Sequence, residues 1–360
     1  MVPVVDLSRR GARFAADFAR AAERIALSGR YLLHEELANF EVELASALGA
    51  RHAVCVASGA SALQLSMTAS GVGNGHDVLV PAFTAVPTAS AVVAAGARPV
   101  AVDVDPDTAC VTPSALNAAR TDTTKAALVV HLYGFPAPVG AIDASIMVIE
   151  DAAQASGSAL PQAGSVAAAF SFYPTKNLGG IGDGGAVVTD DAQLADSVRK
   201  LRGHAVSEGY VHTAISQNFR MSEIEAAWLR LGLPELAGDV AGRRRIAERY
   251  RRAAPQLRWQ REHPDHAYHL CVYRSRRRDS DRAALADAGV STAVHYPRAL
   301  TQQPAYARLF PSACPEAEGW AAECVSLPCF PEMTESEIDC VESALSSLPA
   351  YDDAATPIGR

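Results

Sequence analysis

The first two thirds of the chain alternate short β-rich apolar runs with alanine-rich runs of helical pattern. Seven runs predict strands, at residues 52–58, 77–83, 98–105, 126–134, 145–152, 168–174 and 185–190, and helical runs at 59–70, 85–95 and 191–202 lie between some of them. Several strand candidates are apolar without alternation, which is typical of strands covered on both faces. The pattern therefore predicts an α/β domain with a mainly parallel sheet, whose ligand binds at the carboxyl ends of the strands.

The pattern changes near Ser222, where a long helical stretch begins, breaks near Pro234 and resumes through Tyr250. Strand candidates at 267–275 and 294–297 and helical candidates at 280–288 and 334–348 follow it. We therefore predict two domains, a large α/β domain over residues 1–235 and a small α+β domain over residues 236–360. An N-terminal helix of the large domain can pack on the small one.

Composition and charge narrow the classes of partner. The formal net charge of -8 and the lack of a dense basic stripe disfavour nucleic acid, because phosphate binding needs clustered Lys and Arg. Seven cysteines without a CxxC pair argue against a disulfide framework or a zinc site and favour the reducing cytoplasm. The start of the chain lacks the apolar core of a signal peptide, and no stretch is long and apolar enough to cross a bilayer. We therefore expect no metal and no membrane association.

Candidate chemistry centres on the stretch "SFYPTKNLGGIGDGG", residues 171–185, which places Lys176 between a short apolar strand and five glycines. A lysine that forms a Schiff base must be neutral to attack an aldehyde, and partial burial lowers its pKa toward that state. Ser171 can offer a hydroxyl group to a phosphate, and the glycines are expected to relieve crowding near a bound ring. A lysine in a surface turn is the alternative interpretation of this stretch.

Two stretches are candidates for anion binding. "SGASAL", residues 58–63, follows a strand and opens a helix, so its free backbone N–H groups can bind an anion. "SQNFRMSEIEAAW", residues 216–228, places Asn218 and Arg220 before another helix. Taken alone, the first is better explained as an ordinary N-cap turn and the second as a cap beside a surface arginine.

The carboxylate of Asp151 is the third kind of candidate group, beside the lysine and the anion sites. Asp151 in "VIEDAAQA", residues 148–155, stands where an apolar strand ends, and an unpaired carboxylate there calls for a cationic partner. A protonated pyridine nitrogen would serve, whereas a structural salt bridge or a helix N-cap explains the stretch equally well. Together, the lysine, the carboxylate and the anion sites match an aldehyde-bearing phosphorylated pyridine, pyridoxal 5'-phosphate.

At these residues the chain resembles the DegT/DnrJ/EryC1/StrS family of sugar aminotransferases, which are fold-type-I pyridoxal-phosphate enzymes. The resemblance runs from about Gly29 to Pro331. It is carried by the stretches "SGASAL", "DVLVPAFTA", "PVAVDVDPDT", "VVHLYG", "VIEDAAQASGS", "FSFYPTKNLGGIGDGGAVVTD", "NFRMSEIEAA", "AYHL" and "VHYPRALTQQPAY". It implies a mainly parallel, mixed sheet sandwiched by helices, with a smaller C-terminal α+β domain, as in aspartate aminotransferase.

The resemblance also implies a role for each matching residue. Lys176 would form the Schiff base and later move the proton, and Asp151 would keep the pyridine nitrogen protonated. Asn218 and Arg220 would reach the site of a neighbouring subunit, so the active unit would be a homodimer. The other implied contacts are those of Gly59, Ala60 and Ser171 with the phosphate, of Gln154 with the ring and its phenolic oxygen, and of Tyr173, His295 and Tyr296 with the substrate.

The implied reaction moves an amino group from an amino acid, usually L-glutamate in this family, to the ketone of a nucleotide-linked sugar. The "NLG…GDGG" form after Lys176 is more similar to members that act at a C3 ketone, so a 3-keto-6-deoxyhexose is expected, in amino-sugar or natural-product biosynthesis. One alternative is a sugar dehydratase, although the dehydratases of this family carry histidine in place of the lysine. Another is a non-catalytic, cofactor-binding regulator.

The chain departs from the family pattern at several positions. Ala60 stands where members usually carry Thr, and Ala85 where they usually carry an aromatic residue that stacks on the cofactor ring. Losing that stack should weaken binding by on the order of 1 kcal/mol, unless Phe83 compensates. The connections after Gly134 and after Ser158 are shorter than usual, so the crossover helix after Gly134 is expected to be reduced or missing. Such trims can reshape the substrate mouth and would suit an unusual acceptor, such as a cyclitol or an unlinked ketose.

Overall fold

The chain folds as an α/β protein in the computed structural model, which describes residues 1–158 and 160–352. The helices are α1 (Leu7–Ser28), α2 (Glu35–Leu48), α3 (Gly59–Ala69), α4 (Val86–Ala94), α5 (Pro113–Ala118), α6 (Ala192–Arg202), α7 (Glu223–Gly232), α8 (Leu236–Ala253), α9 (Arg278–Asp287), α10 (Pro315–Glu323) and α11 (Glu335–Ser346). The strands are β1 (His52–Val56), β2 (Asp77–Pro81), β3 (Arg98–Val102), β4 (Thr124–Val130), β5 (Met147–Asp151), β6 (Ala167–Ser171), β7 (Gly185–Thr189), β8 (Arg258–Trp259), β9 (Cys271–Arg274) and β10 (Cys324–Leu327). Over these residues no helix is long and apolar enough to cross a bilayer, and no group of His, Cys, Asp and Glu side chains is arranged to hold a metal ion.

The large sheet has seven strands in the order β1-β7-β6-β5-β4-β2-β3. Its neighbouring strands are parallel except at β7, which runs antiparallel to both β1 and β6. Helices cover both faces, so successive residues of one strand enter different cores. In β6, Ala169 packs in the cluster that contains α3 and α6 residues, and Phe170 packs in the cluster that contains α2 and α7 residues. The predicted mainly parallel, mixed sheet between helices is confirmed.

The strands end earlier than the apolar runs because the last residues of several runs turn at the carboxyl edge of the sheet. β4 ends at Val130, and residues 132–134 form a 3-10 turn in which Tyr133 takes a φ of 63°. The register pairs Val130 with Asp151 and Asp151 with Ala169. The carboxyl ends of the three parallel strands β4, β5 and β6 therefore meet at one edge, next to one another.

The C-terminal part contains a second sheet, of three antiparallel strands in the order β10-β9-β8. Residues of α8, α9 and α11 pack with it around one apolar core, which includes Ile246, Tyr250, Leu285, Val325 and Val341. This is the α+β arrangement expected for the small domain. The domain boundary at residue 235 stays a prediction.

One strand prediction in the C-terminal part is too long and another is wrong. Within the candidate at 267–275, only Cys271–Arg274 form a strand, β9. Residues 267–270 are not in a strand, because the N–H groups of Ala267 and Leu270 donate to the carbonyls of Gly134 and Tyr133 in the other half of the chain. Residues 294–297 form no strand either, since the pairing here is limited to a single bridge between Ala293 and Ser326. Both segments leave regular structure to border the same region, at the carboxyl edge of the large sheet.

The short connection between β4 and β5 lacks a helix over residues 135–146, as its length predicted. The connection before β6 is held by the buried carboxylate of Glu150. One of its oxygens accepts the Gln162 N–H at 2.8 Å and the Ser165 hydroxyl, and the other lies 2.9 Å from His131 Nε2. The completely buried pair of Glu150 and His131 thus fixes this connection, which has no helix of its own.

Helix α1 contacts both halves of the chain. Phe14 and Phe18 meet Trp228 of α7 edge to face, with ring centroids 5.7 and 5.2 Å away. Arg9 forms an ion pair with Glu337 at the start of α11, at 2.6 Å. The N-terminal helix therefore packs on α7 and reaches α11 in the C-terminal part of the chain.

Candidate active site

Lys176 lies in the turn that follows β6, at the carboxyl edge of the large sheet. Its backbone N–H donates to the carbonyl of Tyr173 at 2.8 Å, and its side chain is partly buried. Burial lowers the pKa of the Lys176 amine to about 8, and the nearby charge of Asp151 opposes that shift. An appreciable fraction of the amine is therefore neutral near neutral pH, which is the form that attacks an aldehyde.

Asp151 is the last residue of β5 and is 5% exposed. Its carboxylate accepts the Thr88 hydroxyl at 2.8 Å and the Ala153 N–H at 3.2 Å. It forms no ion pair with any described residue, and burial raises its pKa while the Thr88 hydrogen bond opposes the rise. A buried carboxylate without an ion-pair partner suits a ligand that brings its own cation, such as a protonated ring nitrogen.

The start of α3 and the end of β6 form a narrow cradle. A Cβ atom on Gly59 would lie 2.7 Å from the Cβ of Ser171, and one on Gly185 would lie 2.6 Å from the Gly59 nitrogen. The Ser58 hydroxyl caps α3 by accepting the Ser61 N–H at 3.1 Å, which leaves the first-turn N–H groups of Gly59 and Ala60 for a ligand. Backbone N–H groups at a helix start beside a serine hydroxyl are suited to bind a phosphate.

Gln154 connects the two halves of the site. Its Oε1 atom accepts the N–H of Tyr133 at 2.6 Å, and its Nε2 atom donates to the Tyr296 hydroxyl at 2.9 Å. The Tyr133 hydroxyl in turn donates to the carbonyl of His295, and His295 Nδ1 lies 2.9 Å from the Ser326 hydroxyl. Burial, followed by the charge of Lys176, lowers the pKa of His295, so its imidazole is neutral at physiological pH.

The structure contradicts the prediction that Phe83 stacks on the cofactor ring in place of an aromatic residue at position 85. Phe83 is completely buried and stacks on Trp320, with ring centroids 6.1 Å apart and an interplanar angle of 23°. Its ring has no surface left for a ligand, so it does not compensate for Ala85. Ala85 is partly exposed and precedes α4, the helix that carries Thr88 toward Asp151.

The glycines after Lys176 have a different role from the one expected. A Cβ atom on Gly179 would lie 2.3 Å from the Arg10 guanidinium, and one on Gly180 would lie 1.5 Å from Glu225 Oε1. At Gly179 the backbone carbonyl oxygen of Pro174 would be nearer still, at 2.2 Å, so this glycine makes room for the turn's own backbone as well as for Arg10, whereas Gly180 makes room for Glu225. The expectation that the glycines relieve crowding around a ligand is wrong at both positions.

The structure also brings in residues that the sequence analysis left without a role. Thr88 binds Asp151, and the backbone of Tyr133 orients Gln154. His269 is 8% exposed, and its pKa is lowered by burial and then by the charge of Lys176, so a second neutral imidazole faces the site. "AYHL", one of the stretches that carry the resemblance, contains His269 and was the one available signal.

The structure leaves Asn218 and Arg220 at the surface beside the cradle. Asn218 Oδ1 accepts the Arg220 Nε–H at 3.1 Å, and the intervening Phe219 carbonyl accepts the Ala57 N–H at 2.8 Å, just before α3. Within residues 1–158 and 160–352, Arg220 forms no ion pair. The contact of these residues with a neighbouring subunit stays a prediction, as does the substrate contact of Tyr173, whose side chain is 53% exposed.

Comparison with known proteins places this geometry in context. Residues 13–346 match the DegT/DnrJ/EryC1/StrS aminotransferase family. The chain is 40% identical to the erythromycin biosynthesis sensory transduction protein EryC1 of Saccharopolyspora erythraea, over 96% of this chain and 99% of that protein. It is 39% identical to the dTDP-3-amino-3,4,6-trideoxy-alpha-D-glucose transaminase of Streptomyces venezuelae, over 92% of each. The crystal structure of S. venezuelae DesV in complex with a ketimine intermediate has a TM-score of 0.92 at 38% identity, and the match covers 96% of this chain and 97% of that one.

Proposed function

The chain belongs to the DegT/DnrJ/EryC1/StrS aminotransferase family, and on that premise we propose that it transfers an amino group from L-glutamate to a nucleotide-linked 3-keto sugar with pyridoxal 5'-phosphate as cofactor. One observation carries the proposal. A partly buried lysine with a lowered pKa lies near a buried carboxylate that has no ion-pair partner among the described residues, beside a helix start that can bind a phosphate. The S. venezuelae transaminase, named for a 3-amino sugar, supports C3 as the position of the ketone.

The residues of the site fit this cofactor. Gly59, Ala60 and Ser171 would hold the phosphate, and Gln154 would lie beside the ring. When bound, pyridoxal phosphate supplies an electrophilic aldehyde and a ring that withdraws electrons from the reacting carbon. The fit rests on the cradle at Gly59, which a larger side chain would fill, and on the unpaired carboxylate of Asp151.

Each polar group of the chain then has a task in the transfer. Asp151 would hold the ring nitrogen through a charged hydrogen bond, and the Thr88 hydroxyl keeps the carboxylate in place. Lys176 would serve as the group that accepts and returns a proton beside the bound amino donor, and a pKa of about 8 suits both directions near neutral pH. His295 and Tyr296 would border the sugar.

A glutamate half-reaction and an acceptor half-reaction test the proposal separately. Purified protein with pyridoxal phosphate should show a Schiff-base absorbance band that L-glutamate bleaches as 2-oxoglutarate appears. Addition of a nucleotide-linked 3-keto-6-deoxyhexose should restore the band and yield the 3-amino sugar. A sugar that loses water without gaining nitrogen would indicate the dehydratase, and no band at all would contradict the cofactor and with it the proposed enzyme.

We also propose a cytoplasmic homodimer with the active sites at the subunit interface. Ser222 bridges to Leu32, which brings residues 29–33 beside residues 203–222. This surface exposes an unusual number of large apolar side chains, namely Tyr31, Leu32, Leu33, Val206, Tyr210, Val211 and Ile215. Apolar surface of this kind marks an interaction site, and Asn218 and Arg220 lie within it. If analytical ultracentrifugation shows that the protein sediments as a monomer at micromolar concentration, the proposed homodimer is wrong.

The loss of the aromatic residue at Ala85 gives a prediction for cofactor affinity. An Ala85→Tyr variant should bind pyridoxal phosphate more tightly by about 1 kcal/mol, roughly fivefold in Kd, because a stacked aromatic pair contributes that much beyond its area. Ala85→Leu is the matched control, since it adds bulk without a π face. Equilibrium titration of ligand-free protein measures both, and equal affinities for the two variants would contradict a stacking position at residue 85.

A further inference from the structure

The loop after Lys176 is clamped by two buried charged side chains that the proposed reaction does not use. Arg10 of α1 is 7% exposed and donates to the carbonyl oxygen of Lys176 at 3.1 Å. Glu225 of α7 accepts the N–H of Gly182 on its Oε2 atom at 2.8 Å. We call residues 177–185 the glycine loop. Helices α1 and α7 thus hold the backbone of Lys176 and of the glycine loop from one side.

The Glu225 carboxylate is confined and incompletely satisfied. It is 4% exposed, and a Cβ atom on Gly180 would lie 1.5 Å from its Oε1 atom. Within the described part of the chain, Oε1 finds no hydrogen-bond partner. Burial raises the pKa of Glu225 to about 7, the N–H groups of Gly182 and Ile181 oppose the rise, and the charge of Asp183 adds to it. An ionised carboxylate in such a position is costly, because burial removes its water and only N–H groups of the loop replace it.

None of the charged groups described around Glu225 neutralises the negative charge that its carboxylate carries when it is ionised. Asp183, at the surface of the glycine loop, has the same sign. Arg10 is directed to backbone carbonyls, and its own pKa is lowered by burial. Glu223, on the same helix, accepts the N–H groups of His34 and Glu36 and is saturated by α2. No cation forms an ion pair with Glu225 among the residues that the structure describes.

We propose that Glu225 is a positioning residue for Lys176, and that its protonation favours the closed glycine loop while its ionisation favours loosening of the loop. Opening the loop would give the carboxylate water, so its pKa would fall toward the ordinary value of 4.5. Because the closed loop binds the proton more tightly, closure is most favourable below pH 4.5 and weakens as the pH rises to about 7. The weakening is complete above pH 7. Only the consequence for Lys176 rests on the proposed function, since the loop equilibrium itself involves neither cofactor nor substrate.

Hydrogen exchange of the ligand-free protein tests the loop equilibrium directly. After correction for the intrinsic pH dependence of exchange, protection of residues 177–185 should fall between pH 5 and 7 and level off above that. The total fall can reach about 300-fold, the factor that a pKa change from 7 to 4.5 allows. In Glu225→Gln, which keeps the shape of the side chain without the charge, protection should not depend on pH.

Two control variants distinguish the proposed effect of Glu225 on the glycine loop from a general loss of stability. Glu223→Gln removes a neighbouring buried carboxylate that serves α2, so it should alter exchange near residues 34–37 and keep the pH dependence of the glycine loop. Asp183→Asn should move the midpoint to lower pH, because it removes a like charge. Protection of wild-type residues 177–185 that stays flat from pH 5 to 8 overturns the proposal even if Glu225→Gln does not fold. Persistence of the wild-type profile in Glu225→Gln overturns it as well.

The activity of the enzyme with bound pyridoxal phosphate provides a second test of the role of Glu225. The pH profile of the glutamate half-reaction should lose one ionisation near pH 7 in Glu225→Gln and keep the ionisation of Lys176. If glutamate causes no reaction at any pH, the proposed function fails while the exchange result still stands. If the reaction proceeds with an unchanged profile in Glu225→Gln, the positioning role fails while the proposed function stands.

Discussion

Lys176→Ala is expected to lower kcat/KM by at least on the order of 10⁴-fold, because one side chain supplies both the nucleophile and the proton-transfer group. The variant should still fold, since the Lys176 amine forms no hydrogen bond or ion pair with the described residues. Absorbance spectra should show no Schiff-base band with added pyridoxal phosphate. Lys200→Ala, which changes an exposed lysine on α6, is the control and should keep the band. A band in Lys176→Ala that glutamate bleaches would refute the assignment.

The pKa of Lys176 adds a pH dependence to that result. Only the neutral amine attacks the aldehyde, so cofactor attachment to ligand-free wild-type protein should quicken about tenfold per pH unit below about 8. Above pH 8 the rate should level off, because the amine is already neutral. Stopped-flow absorbance measures it, and a rate that keeps rising to pH 10 would mean that burial does not lower this pKa.

Asp151→Asn is expected to reduce the rate of the glutamate half-reaction by on the order of 10²- to 10³-fold, the range associated with removing one partner of a buried charge pair. An amide cannot keep the ring nitrogen protonated, so the ring loses much of its ability to accept electrons. Single-turnover kinetics with saturating cofactor measures the loss. Wild-type rates in Asp151→Asn would show that the carboxylate does not act on the ring nitrogen.

The same substitution should have the opposite effect on the stability of the ligand-free protein. Burial raises the pKa of Asp151, so its ionised form opposes folding at neutral pH, and the neutral asparagine should raise Tm there. Added cofactor should stabilise the wild type more than the variant.

Thr88→Val removes one hydrogen bond to the Asp151 carboxylate without removing its charge. The rate of the glutamate half-reaction should therefore fall less than in Asp151→Asn, on the order of tenfold.

The sheet and the pair of candidate catalytic residues were accessible from local patterns. Apolar runs such as 148–151 and 168–171 are typical of strands covered on both faces, and polar residues that follow such strands are expected at the carboxyl edge. The topology therefore predicts that Asp151 and Lys176 lie at the same edge of the sheet. The family resemblance added roles for Gln154, Ser171 and His295, which the structure places at the same edge.

Side-chain direction at the loops was not accessible, because it depends on partners that are distant in sequence. Phe83 turns into the core because Trp320 of α10 lies there to stack on it. Gly180 has no room for a side chain because Glu225 arrives from helix α7, and Arg10 of α1 adds to the crowding that the Pro174 carbonyl causes at Gly179. No spacing within residues 171–185 predicts where Arg10 and Glu225 lie.

The sequence by itself determined the α/β sheet, the family and the lysine and carboxylate of the proposed site, because strand periodicity and short motifs are local properties of the chain. Only the tertiary structure decided which buried polar groups find hydrogen-bond partners and which do not. Thr88 supports Asp151, whereas Glu225 is left with an unpaired oxygen under the glycine loop. The physical reason is that burial and desolvation belong to the packed whole, and they set the proton affinities on which the chemistry of this site depends.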